Sequence, residues 1–112
     1  MKNLQMIKER YLKESLSRRL GAIAANLARA ASFSKLSGGS EVLRSLLIES
    51  QYFIEWTVFE ADGDLQERLV KLQVQIARWR YRLDHGRGNA GAMESEFRQQ
   101  ADELIEIAGL AA

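Results

Sequence analysis

The sequence predicts an all-α protein, an antiparallel four-helix bundle whose long first helix Gly21 could break. Three observations lead there. The 112 residues contain no proline, the residue that most strongly interrupts helices. Apolar residues recur at steps of three and four, the period of one helical face. The eight glycines fall between the periodic segments, except Gly21. A chain of this length fits a single domain, 1–112, and folding it buries about two-thirds of the unfolded surface, enough for a core.

The first segment, 3–35, carries Leu12, Leu16, Leu20, Ile23, Leu27 and Ala30 as one stripe, widened by Tyr11, Ala24 and Ala31. Its alanines invite close approach of a second helix. As one helix it would run ~50 Å, against ~33 Å for the third segment, at 1.5 Å per residue. Either Gly21 interrupts it or its beginning packs elsewhere.

The second segment, 41–61, has two apolar faces: Leu43, Leu46, Leu47, Phe53, Ile54 and Val58 on one, Ile48, Tyr52, Trp56 and Phe59 on the other. The third, 64–85, repeats the design. Leu65, Leu69, Leu72, Ile76, Trp79 and Leu83 form a heptad-like seam, and Val70, Val74, Ala77 and Tyr81 lie opposite. A surface helix needs only one stripe, so two helices with two stripes each predict burial on both sides. The fourth segment spans 91–108. Ser40, Asp64 with Glu67, and Asn89 read as helix starts, while Arg82 and His85 suit the negative end of a helix dipole.

Charge alternates along the chain, at +6 for residues 1–35, −4 for 36–63, +3 for 64–88 and −4 for 89–112. Neighbouring helices of opposite sign complement one another, and a net +1 is too balanced for a surface devoted to nucleic acid. No run of 18 apolar residues exists, so no transmembrane segment is expected. The Arg-, Ala- and Ser-rich beginning is like a transit peptide in composition, but its regular apolar spacing reads as the first helix of the fold.

Several chemistries are excluded. Without cysteine there is no disulfide, thiolate nucleophile or Cys-ligated metal. His85 is the lone histidine, which removes Ser-His catalysis and multi-histidine sites within one chain. No Glu-x-x-His pair serves a di-iron bundle. Glu49, Glu55 and Glu60 share no helical face. Gly86, Gly88 and Gly91 have dinucleotide-fingerprint spacing but follow a helix rather than a strand. No catalytic residue, metal ligand or cofactor is expected.

Arg78-Trp79-Arg80-Tyr81-Arg82 alternates cations and rings, as suits phosphate contact and base stacking. On a helix these five residues point all around the axis. A basic strip of Arg68, Lys71, Arg78 and Arg82 shares one face, and defines the alternative reading, a nucleic-acid-binding helical protein. Lys2, Lys8, Arg10, Lys13, Arg18 and Arg19 beside Leu4, Ile7 and Leu12 would suit an anionic lipid surface less well.

The segment Glu49-Ser50-Gln51-Tyr52-Phe53-Ile54-Glu55-Trp56-Thr57, with Leu69-Val70-Lys71-Leu72-Gln73 and Ala77-Arg78-Trp79, resembles small uncharacterised helical proteins of cyanobacteria. The resemblance covers about 30 residues; it implies a cytoplasmic helical protein and transfers no site residue. The residues themselves point to a helical protein-interaction or assembly module, expected as a homodimer. Ile48, Tyr52, Trp56, Phe59, Val70, Val74 and Tyr81 are its candidate interface.

Overall fold

The computed structural model describes residues 3–86 and 90–111. Among these are five α-helices and no strand: α1 Leu4–Leu12, α2 Leu16–Ser34, α3 Ser40–Thr57, α4 Gly63–Asp84 and α5 Glu94–Ala111, the last preceded by a 3₁₀ turn at Ala90–Met93. The expected first helix is therefore two helices, and Gly21 is not the break. The chain leaves the helix at Lys13–Ser15 and runs uninterrupted through Gly21. Ser15 caps the new start, its Oγ accepting from the Arg18 N–H at 3.2 Å. Asn3 does the same for α1. The other starts differ from expectation as well. Gly39 and Asp62 occupy the cap positions of α3 and α4 without a side-chain cap, and Asn89 lies outside the described residues.

Helix α2 is the centre of the molecule, packed against both α3 and α5. Its sequence explains the position. Leu20, Ile23, Leu27, Ala30 and Ala31 are completely buried, and the small alanines let the neighbouring backbones come close. Leu12, by contrast, is exposed; it belongs to α1 and does not share the α2 stripe. The seam of α4 forms as its spacing predicts, with Leu69, Leu72, Ile76 and Trp79 buried. Trp79 meets the edge of Phe97 from α5 at 4.6 Å between centroids. Met93, Phe97, Ala101 and Leu104 complete the core from that side.

The α2–α3 turn depends on two glycines. Gly38 has φ of +79°, where a side chain is strained, and a Cβ on Gly39 would stand 2.5 Å from the Phe33 carbonyl oxygen. Overall the Cα trace measures 36 × 30 × 19 Å. The short dimension admits about two layers of helices at the usual 8–10 Å spacing, so the long helices keep an outward face.

Candidate functional site

The seven candidate interface residues lie on α3, α4 and the turn between them. The two helices meet along their lengths: Arg44 bonds Asp84, Gln73 Nε2 donates to the Gln51 carbonyl at 3.1 Å, and Gln66 Nε2 donates to the Val58 carbonyl at 3.0 Å. This pairing turns the second stripes outward together. Phe59 is 86% exposed and Val70, Val74 and Tyr81 are each about half exposed. Ile48, Tyr52 and Trp56 are half-buried.

Two open grooves run along this face. One, about 360 Å³, is lined by Ile54, Val58, Phe59, Val70 and Val74 together with Glu55 and Gln73. The other, about 500 Å³, is lined by Ile48, Gln51, Tyr52, Glu55, Gln73 and Arg80. They share Glu55 and Gln73, so the apolar end passes into a polar one. Arg80 Nη1 donates to Gln51 Oε1 at 2.7 Å, which holds that guanidinium against α3.

The expectation of burial on both sides is met in part on α3 and not on α4, where Val70, Val74, Ala77 and Tyr81 are exposed. On α3, helix α1 covers part of the aromatic stripe. The Tyr11 ring stacks on Phe53 at 4.2 Å and leans on Trp56 at 5.9 Å, and Lys8 Nζ lies over the indole of Trp56 at 5.9 Å. On α4, no described helix covers Val70, Val74 or Tyr81. Tyr81 instead stacks on His85 at 3.8 Å. His85 is an exposed helix-end histidine whose Nδ1 lies 2.9 Å from the Tyr81 carbonyl.

The polar knot beneath α1 has no counterpart in the sequence reading. Arg19 is 7% exposed. Its Nε donates to the Glu14 carbonyl at 3.0 Å and its Nη2 to the Leu12 carbonyl at 2.8 Å, while Nη1 pairs with Glu60. One guanidinium thus satisfies carbonyls left open where α1 ends and ties that end to the chain after α3. Beside it, Tyr11 and Thr57 hydroxyls bond at 2.7 Å, and Thr57 also donates to the Phe53 carbonyl. Burial pushes the Tyr11 hydroxyl up to about 12, against the lowering influence of the Thr57 hydrogen bond and Arg19. Ser15 was the available signal for the break. The Leu12-to-Leu16 step of four hid it, because three non-helical residues there leave the apparent period intact.

The basic strip is divided by the fold. Arg68 bonds Gln100 at 3.0 Å and pairs with Glu103; Arg82 pairs with Glu96 at 3.1 Å. Both are drawn to α5 and stand about one-third exposed. Lys71, paired with Glu67 at 3.1 Å, and Arg78 remain exposed on the outer face. The ring of Trp79, between them in sequence, is completely buried and offers no stacking surface. Glu49 accepts from Asn26 at 3.0 Å and Glu60 from Arg19.

Among the described residues no cluster of three histidine, aspartate or glutamate side chains could hold a metal ion, and no helix is long and apolar enough to cross a membrane. What fold and surface define together, among the described residues, is an all-helical protein with an outward apolar patch at Phe59, Val70, Val74 and Tyr81. No protein-family model matches this chain, and neither does any curated protein or solved structure.

Proposed function

We propose that the chain is a cytoplasmic protein-interaction or assembly module that self-associates as a homodimer through the outer face of α3 and α4. Its scaffold reads as an antiparallel bundle of four long helices, α2 to α5, with α1 strapped across α3. The resemblance to small helical cyanobacterial proteins accords with this reading.

The observation that carries it is the exposure of Phe59 beside Val70 and Val74 on a shared groove. Isolated exposed apolar residues are ordinary, but a contiguous patch of roughly several hundred Å² marks an interaction surface. Aromatic side chains dominate binding energy at such patches, and Tyr52, Phe59 and Tyr81 supply them. A twofold pairing of identical faces is the simplest way to cover them.

Light scattering at micromolar concentration tests the reading. About twice the chain mass is expected, and Phe59→Glu should shift it toward monomer. Phe59 is the suitable probe because its ring is exposed, whereas Trp56 also packs on Tyr11 and Phe53. A wild-type monomer that binds an oligonucleotide in a steeply salt-dependent way would instead favour Lys71 and Arg78 acting on nucleic acid.

A further inference from the structure

The outward face of α4 reads, in order, Glu67, Val70, Val74, Arg78 and Tyr81, at steps of three, four, four and three that keep all five on one side of the helix. The valines and the tyrosine are about half exposed, and Glu67 and Arg78 lie open to solvent. This short stripe is apolar along one edge, at Val70, Val74 and Tyr81, and charged along the other, with Glu67 at its first end, Arg78 at the far end and the exposed Lys71, paired with Glu67 in its own chain, between them. Acidic residues extend the first end, with Asp62 and Asp64 exposed. Arg78 marks the other. The helix dipole accounts for Asp64 and Arg82 in the terminal turns, but its influence fades within one turn. Glu67 and Arg78 lie further inside.

We propose that the second copy docks α4 against α4 in antiparallel register, with Glu67 of each copy facing Arg78 of the other and Val70 facing Val74. This rests on the self-association reading and adds its orientation. Reversing the second helix about the level of Leu72 sets Val70 against Val74 and brings Glu67 of each copy within one residue, about 1.5 Å of rise, of Arg78 of the other. It also brings the valines of one copy against those of the other, and carries Tyr81 of the second copy over Gly63. Gly63 has no Cβ to obstruct a ring, and nothing stands within 4 Å of where one would be. A parallel pairing of the same faces would set Glu67 against Glu67 and Arg78 against Arg78. Like charges held together across an interface are costly, and opposite ones fix register.

The full chain has no cysteine, so introduced cysteines report cleanly. Chains carrying Val70→Cys and Val74→Cys are mixed and oxidised, and the mixed 70–74 disulfide should exceed either homotypic product. In sedimentation equilibrium, Glu67→Arg or Arg78→Glu alone should weaken the dimer about tenfold. The double variant Glu67→Arg/Arg78→Glu should restore it, since both pairs return with signs exchanged. Circular dichroism verifies that each variant keeps its helix content. A dimer that traps through 70–70 or 74–74, or that ignores the single reversals, overturns the register while leaving self-association intact. A wild-type chain that stays monomeric at several hundred micromolar overturns both.

Discussion

Helices α3 and α4 carry the same design in sequence, two apolar stripes each, and meet different fates in the fold. The outer stripe of α3 is partly roofed by Tyr11 and Lys8 from α1, whereas Val70, Val74 and Tyr81 of α4 stand about half exposed. The difference begins at Lys13–Ser15. There the chain breaks, and nine residues become free to lie back across α3. Arg19 secures the bend by binding the Leu12 and Glu14 carbonyls. An apolar stripe thus specifies a surface that avoids water without specifying its cover. On α3 a segment of the same chain supplies part of it. On α4 the open stripe is the one proposed to meet a second copy.

The largest effect should come from the covered side of α4. Trp79→Ala removes a completely buried ring from its contact with Phe97 and is expected to cost about 3–5 kcal/mol in urea denaturation. A loss under ~1 kcal/mol would place the indole near the surface and erase the contrast between the two faces of α4.

Next in size is the bend itself. Arg19→Met keeps much of the aliphatic stem but leaves carbonyls at the end of α1 without their donor, and should cost about 2–3 kcal/mol. Acrylamide should then quench Trp56 more strongly, because α1 loses its hold on α3. Unchanged quenching with full stability would show that α1 needs no such tie.

Tyr11→Phe is expected to cost about 1 kcal/mol, since Thr57 keeps its bond to the Phe53 carbonyl when the tyrosine hydroxyl is lost. The pH dependence is more diagnostic. The folded hydroxyl is held up at about 12 from 10.0, so the unfolded chain releases this proton first. The stabilisation is complete below pH 10 and is lost as pH rises from there through about 12. Wild type should therefore lose stability in that window more steeply than Tyr11→Phe. Parallel curves would mean that the hydroxyl is not enclosed.

Val74→Ser should be the mildest change to the fold, within ~0.5 kcal/mol, because the side chain is half exposed. The same substitution should measurably weaken the dimer. A variant that unfolds would reveal a covered Val74, and the two outer stripes would then no longer differ.

Much of the architecture was legible before any coordinates. Local rules sufficed for the seam Leu69–Leu72–Ile76–Trp79, the burial of Leu20, Ile23 and Leu27, and the glycine turn at Gly38–Gly39. Helical periodicity and glycine conformation act over a few residues, so a window of sequence contains their whole cause. The candidate face was legible in the same way, because Phe59, Val70, Val74 and Tyr81 continue stripes of known period.

Long-range contact decided the rest. Arg19 reads as one more surface cation until Glu60, forty-one residues on, and the end of α1 enclose it. Arg68 and Arg82 look like one strip with Lys71 and Arg78 until α5 brings Glu103 and Glu96 to them. Spacing along a helix determines which residues share a face. Only packing between distant segments determines what that face meets, because the energy of burial or of an ion pair belongs to both partners and is written in neither segment alone.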